Sequence, residues 1–427
     1  MKRFVIIFAA SLIHLTAAGQ STIELTDLYQ RARDADPRIR QLQIEAAQSE
    51  LRLRNIESER LPVISIGGQT QYQSEVVEFP AAAAGQTPSP PNDSYELAVR
   101  FERLLRDPSR RARIETEEAS LAEAQARIQT ALFGLRQEIN EAFFSAALLQ
   151  EREAQIHTAI RDLEARLREA NLRVESGTAL RGEAFAIEAT LLERTQSAAE
   201  MRASRLGALA RLSQLTGTDF ALEDRLALPQ LDQDVARARA DIDTLRARPE
   251  FEQFARARAT IETRKDLVES RLKPRVAAYG TVAYGSPGLN FLREEFHPWW
   301  LAGVRVQWQP WTWGNNRRER ELLALQQESI AAEEKAFARS LTRAVQNDFF
   351  LIGHLVSSVT LDERIVALRE SIERETRARF DESVVTAAEY VDRETDVLDA
   401  RLLRATHRVQ LAQAQARLLT LLGLEVH

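Results

Sequence analysis

Asp36-Pro37 and Leu61-Pro62 are echoed by Arg248-Pro249 and Lys273-Pro274, with the same 25-residue spacing between the prolines and an offset of 212 residues. The echo continues downstream. Val99-Arg100-Phe101 answers to Val304-Arg305-Val306, Glu175-Ser176-Gly177 to Asp381-Glu382-Ser383, and Leu215-Thr216-Gly217 to Leu421-Leu422-Gly423. A chain that repeats itself in this way must solve the same folding problem twice, which removes most architectures from consideration.

No proline occurs between Pro108 and Pro229 or after Pro310, and both intervals are rich in the helix formers Ala, Leu, Arg, Glu and Gln. Within them, Ile114, Leu121, Ile128, Leu135, Ala142, Leu149, Ile156 and Leu163 recur every seven residues, as do Leu323, Ile330, Phe337, Ala344, Leu351, Ser358, Ile365 and Ile372. A sustained seven-residue period predicts helices that wrap on neighbours as coiled coils. From Arg110 to Leu172 such a helix is roughly 90 Å long at 1.5 Å per residue. Each half therefore reads helix, strand, loop, strand, long helix, turn, returning helix.

The strands are amphipathic. All five tryptophans lie between Trp299 and Trp313. Trp300, Ala302, Val304, Val306 and Trp308 fall on one face of an extended segment, and Leu301, Gly303, Arg305, Gln307 and Gln309 on the other. An apolar face ending in aromatic residues, backed by a mostly polar one, is the pattern of a transmembrane β-barrel strand. Trp300 to Trp308 spans roughly 26 Å at about 3.3 Å per residue, close to the apolar band of such barrels. A sandwich strand with tryptophans in its core has the same local pattern. Ile64, Ile66, Thr70 and Tyr72 alternate with Ser65, Gln69, Gln71 and Gln73, and Tyr95, Leu97, Val99 and Phe101 with Glu96, Arg100 and Glu102. Val276, Ala278, Val282 and Tyr284 form a weaker apolar face. The stretches from Pro80 to Asp93 and from Ser286 to His297 read as exposed loops. Membrane barrels need at least eight strands, so a four-stranded chain of this kind has to associate, and three copies supply twelve.

Lys2 and Arg3 precede an apolar run from Phe4 to Leu15, and Thr16-Ala17-Ala18-Gly19 offers small residues for cleavage, so residues 1–19 are expected to be a signal peptide. With no cysteine in the chain, membrane attachment has to come from the fold and not from an acylated thiol. A charged fraction of 28% with a net charge of −6 argues against nucleic acid as a partner.

The doubled pattern resembles the TolC-like outer-membrane efflux proteins. The residues that carry the resemblance are Asp36-Pro37 and Arg248-Pro249, the strand-to-helix passages from Val99 to Ser109 and from Val304 to Gly314, and the turns Arg173–Gly177 and Arg379–Ser383. It implies a mainly α fold with membrane β: a duplicated helix-strand-strand-helix repeat whose homotrimer forms a twelve-stranded transmembrane β-barrel continued by a long periplasmic α-helical barrel. On that pattern residues 20–217 form the first repeat, with strands at about 62–77 and 94–105. Residues 218–240 connect it to the second repeat, 241–427, with strands at about 274–285 and 298–309. The implied function is the passive exit duct of a tripartite efflux or secretion system in the outer membrane, docked on a periplasmic adaptor and an inner-membrane pump.

The resemblance also assigns sites. Ser176, Gly177, Thr178 and Ala179, with Ser383, Val384 and Val385, stand at the hairpin tips that meet an adaptor. Ser383 occupies a position where the family usually has glycine, and Val385 the place of a gate-tethering arginine in some relatives. Glu183, Glu389 and Asp392 stand where some relatives narrow the pore with carboxylates, and threefold symmetry would gather nine acids near one axis, attracting cations. A solvated helix face is the plain alternative for these acids. Trp300, Val304, Val306 and Trp308 face lipid on this pattern. Arg110, Arg111, Arg113, Arg317, Arg318 and Arg320 oppose the helix dipole at the starts of the long helices, and anionic lipid headgroups are one explanation for them. No metal-ligand spacing, nucleophile elbow or phosphate loop suggests an enzyme or a cofactor. The reading from another class is a soluble periplasmic coiled-coil scaffold.

Overall fold

A computed structural model describes residues 22–77, 90–240, 248–290 and 295–424. The expected signal peptide and parts of both interstrand loops lie outside these residues. The first half runs β1 (Thr22–Ile23), α1 (Leu25–Ala35), α2 (Arg38–Ser58), β2 (Val63–Tyr72), β3 (Asp93–Arg106), α3 (Ser109–Glu175) and α4 (Arg181–Thr216). After β4 (Arg225–Leu226) and α5 (Asp232–Ala240), the second half runs α6 (Pro249–Ser270), β5 (Arg275–Ser286), β6 (His297–Gln307), α7 (Asn315–Asp381) and α8 (Ala387–Leu422). The duplication is quantitative in the helices: α3 and α7 each have 67 residues, α4 and α8 each 36. At 1.5 Å per residue the longer pair are about 100 Å long. Both shorter helices stop at a glycine in the left-handed region, Gly217 (φ 65°) and Gly423 (φ 75°), because only glycine takes that conformation without a Cβ penalty.

Two compact units emerge. One comprises the described residues up to Ile39 with Ala131–Arg248 and those from Arg339 onward; the other comprises Arg40–Thr130 and Pro249–Ala338. The first is a helical bundle whose fully buried side chains include Leu28, Ile139, Phe143, Phe144, Leu209, Leu212, Leu418 and Leu419. The Phe143 and Phe144 rings meet edge to face at 5.1 Å. Tyr29 donates to Asn140 Oδ1, and Asn140 Nδ2 donates to Thr420 Oγ1 at 3.1 Å, so buried polar groups on three helices satisfy one another. Burial raises the Tyr29 hydroxyl pKa to about 12. In the described part of the segment linking the two halves, β4 pairs in parallel with β1 and α5 packs on α8.

The seven-residue stripe of α3 behaves as its period demands, with Ile128, Leu135, Ala142, Ile156 and Leu163 buried. In α7 it does not. Leu351, Ile365 and Ile372 are exposed, and the buried row is Leu341, Val345, Ile352, Leu355 and Val366. The apolar surface of α7 is wider than one seam, so a single chain leaves part of it uncovered.

The second unit holds a four-stranded antiparallel sheet in the order β2-β3-β5-β6. The two hairpins sit side by side, with β2 and β6 as edges. A β-bulge between Leu104 and Arg106 bends β3 where it approaches α3.

Candidate functional site

Register decides what the sheet presents. Residues directly opposite in antiparallel strands share a face, and Ile66, Val99, Val282 and Trp300 form one row straight across all four strands. The next row is Ile64, Phe101, Gly280 and Ala302; beyond it Ala278 faces Val304 and Val276 faces Val306, and there β3 contributes Arg103 and Arg106 at the end of the apolar face. All four strands thus contribute to one apolar surface, and it is bare: Ile66 is 75% exposed, Trp300 72% and Val304 64%. The Phe101 ring lies over Gly280, whose missing Cβ would otherwise sit 2.1 Å from the ring. The opposite face carries Ser65, Arg100 and Thr281 in one row and Gln69 and Glu96 in another. Arg100 pairs with Glu96, Arg305 lies 3.7 Å from Glu102, and the Arg305 guanidinium stacks 4.8 Å over Tyr279. Trp308 is exposed beyond the end of β6 with its indole N–H donating to the Leu272 carbonyl at 2.9 Å. An indole held at a strand end, apolar on one side and wet on the other, suits a membrane interface.

The arginines following the strands are engaged within the chain. Arg113 bonds both Glu59 oxygens at 2.5 and 2.6 Å and Asp107 at 2.7 Å; Arg111 pairs with Glu115 and Arg317 with Glu321. Arg320 lies 3.6 Å from Glu269, and Arg318 donates to the Trp313 carbonyl. Arg113 ties the start of α3 to the residues flanking β2 and β3 and Arg320 ties α7 to α6, whereas the Arg111 and Arg317 pairs lie within their own helices on exposed faces.

The two tips close with the same hydrogen bonds. After α3, Thr178 N donates to Arg173 O at 2.9 Å and Gly177 N to Val174 O at 3.1 Å; after α7, Val384 N donates to Arg379 O at 2.8 Å and Ser383 N to Phe380 O at 3.0 Å. This is the Schellman pattern in both, and it requires a left-handed residue, which is Gly177 (φ 74°) in one and Ser383 (φ 61°) in the other. Serine does not change the turn; it adopts the strained conformation. Ser176, Gly177, Thr178, Ser383 and Val384 are exposed, Ala179 is half-buried, and Val385 packs on the apolar cluster beneath. Glu183 and Glu389 each occupy the third residue of a helix, and the Thr386 hydroxyl accepts from the Glu389 N–H at 3.2 Å as an N-cap. Acids there complement the helix dipole whatever else they do. Glu183 is half-buried; Glu389 and Asp392 are exposed.

Contacts between the tips were not legible beforehand. Arg166 reaches Asp381 Oδ1 at 3.2 Å, and Arg173 donates to the carbonyls of Phe380 and Asp381 at 3.3 and 3.2 Å, tying the end of α3 to the end of α7. Phe380 stacks on Tyr390 at 5.4 Å, with Arg173 over the Phe380 ring and Arg166 over the Tyr390 ring. The seven-residue spacing of Arg166 and Arg173, which keeps both on one face of α3, was the available signal.

Paired hairpins in an antiparallel sheet, joined to doubled long helices with capped tips, make the fold that of the TolC-like outer-membrane efflux channels. Three solved structures show it. CusC, studied for the conformational changes accompanying folding and transmembrane channel formation, shares 12% identity and superposes with a TM-score of 0.71 over 95% of this chain and 94% of its own. The outer membrane protein VceC of Vibrio cholerae gives 14%, 0.68, 94% and 97%, and the open state of the Neisseria gonorrhoeae MtrE outer membrane channel 17%, 0.68, 94% and 89%. No family model matches the sequence, and no curated protein does.

Proposed function

We propose that this protein is the outer-membrane channel of a tripartite efflux or secretion system, a passive trimeric duct that docks on a periplasmic adaptor and an inner-membrane pump. The single observation that carries the reading is the sheet: one face apolar and bare across all four strands, the other charged and hydrogen-bonding, with both edges open. In water such a face costs on the order of 25 cal/mol for each Å² left exposed, whereas in lipid it is at home. Lipid, however, cannot satisfy the backbone groups on the edges of β2 and β6, so the sheet has to close on other copies. The uncovered apolar residues of α7 supply surface for the same association. Three copies close twelve strands around the polar face.

Within that duct the exposed turns Ser176–Thr178 and Ser383–Val384, with Ala179 and Val385 at their bases, are the adaptor-docking tips. Glu183, Glu389 and Asp392 are the acids that narrow the entrance, gathered by threefold symmetry into a cation-attracting ring. The Arg166 and Arg173 ties to the end of α7 hold the tips together in place of an arginine at position 385.

Cross-linking of the mature protein in outer-membrane extracts, combined with conductance in planar bilayers, tests the reading. A trimer with stable conductance is expected, blocked by a trivalent cation from the periplasmic side and released from block in Glu183→Gln/Glu389→Gln/Asp392→Asn. Recovery as a monomer in the soluble periplasmic fraction would establish the scaffold alternative. An unchanged block in the triple variant would place those acids on a solvated outer face.

A further inference from the structure

The buried stripe of α8 contains a charge. Ala387, Tyr390, Val397, Leu398, Ala405 and Val409 lie on its inward face at helical spacing, and Glu394 lies among them, only 8% exposed. Its Oε2 is buried without a hydrogen-bond partner. Burying a carboxylate this way is costly unless it is paired or neutral.

The surrounding helices make pairing incomplete. From α3 Glu394 faces Asp162, from α4 Arg194, from α7 Glu373, and on α8 itself Arg401, while Arg166 and Arg374 act on neighbouring Glu373. Arg194 donates through one terminal nitrogen to Thr395 Oγ1 at 3.0 Å while its Nε is buried without a partner, and Arg401 bonds Glu370 at 2.7 Å, so neither cation hydrogen-bonds Glu394. Two further acids oppose ionisation. Burial, more than these charges, raises the Glu394 pKa to about 7, and burial also raises that of Glu373.

We infer that Glu394 is a proton-operated joint: protonated, it packs as a neutral side chain and holds α8 against α3, α4 and α7; ionised, it loosens that packing. The sign follows from linkage. The packed form binds the proton more tightly than an opened form whose carboxyl has its ordinary value of 4.5, so the stabilisation is complete below that value and is lost as pH rises through about 7. A displacement from 4.5 to about 7 couples to opening by up to ~300-fold. The joint is a property of the helix packing and stands apart from the channel reading.

Amide hydrogen exchange of the purified full-length protein, corrected for the intrinsic pH dependence of exchange, tests it in residues 387–402. Protection is expected to fall by up to about 70-fold between pH 5 and pH 8, the part of the full coupling that lies in that interval, and Glu394→Gln should keep it high and flat across the range. Glu373→Gln should move the midpoint down by removing a like charge, and Arg194→Gln should move it up by removing a cation. A Glu394→Gln protein with the wild-type profile, or protection that rises with pH, overturns the inference. If Glu394→Gln fails to assemble, midpoints left unmoved in the other two variants overturn it equally.

Discussion

Placing a lysine at Val304 puts a number on the lipid-facing assignment. Val304 lies four residues from both Trp300 and Trp308, so at 3.3 Å per residue it sits about 13 Å from either aromatic position, in the middle of the span. Its side chain is 64% exposed on the apolar face, opposite Ala278, and the row ends on β3 at Arg103, so a lysine there meets no acid and adds to a cation already in the row. A lysine at the midplane of a membrane barrel costs ~2–4 kcal/mol, and near the interface ~0–1 kcal/mol. Val304→Lys is therefore expected to lower the folding equilibrium of each strand copy by roughly 30- to 1,000-fold, and Val306→Lys, two residues nearer the edge, by less. Gln69→Lys, on the opposite face and directly across from Glu96, is expected to cost close to nothing. Urea unfolding in lipid vesicles reads all three, since every tryptophan lies between Trp299 and Trp313 and intrinsic fluorescence reports this one region. Equal costs at Val304 and Gln69, or a larger cost at Val306 than at Val304, would refute the face and depth assignments.

The tips give a reciprocal pair: Ser383→Gly should stabilise the second turn by up to about 1 kcal/mol, and Gly177→Ser should cost about as much, because a Cβ at Gly177 meets only open space and the backbone alone decides. Slower amide exchange around residues 380–386 in the first variant and faster exchange around 174–180 in the second would show it; no change in either would remove the strain argument. On the channel reading, Gly177→Pro is expected to leave the proposed trimer intact while abolishing export and adaptor capture, measured by co-purification, since proline removes the N–H that bonds Val174 O. The Arg38 side chain hydrogen-bonds Asp36 and, with the Arg38 N–H, holds that carboxyl below its ordinary pKa; this stabilisation is present above about pH 4 and lost as pH falls through the lowered value. Asp36→Asn should therefore flatten the acid limb of the stability profile, and a profile identical to wild type would assign the limb to other groups.

The amphipathic strands and the long helices were legible because both rest on periodicity, which survives in a single sequence: Ile66, Val99, Val282 and Trp300 each sit at the correct parity before any register is known. The register that lines them up was not, since it depends on pairing between segments nearly two hundred residues apart. The α7 stripe misled for a related reason. Seven-residue recurrence locates an apolar row but not the helix that covers it, and α7 carries apolar residues on more than one side. Ser383 looked like a break in the pattern, yet the turn's hydrogen bonds impose the left-handed conformation on it. Glu394 was invisible, because a glutamate in an arginine-rich helix reads as surface until the neighbouring helices are in place. The tip ties of Arg166 and Arg173 needed the same knowledge.

The two unpaired edges, β2 and β6, have a genetic consequence. A chain with a damaged β6 still presents an intact β2 to one neighbour, so on the channel reading it can enter a ring that it then prevents from sealing. Co-expressed with the normal chain, such a variant would poison mixed assemblies, and its phenotype would be dominant. A variant damaged in a way that keeps it from pairing at all would simply be left out and would be recessive. The inheritance pattern of strand mutations thus distinguishes chains that fail before meeting a neighbour from chains that fail after it.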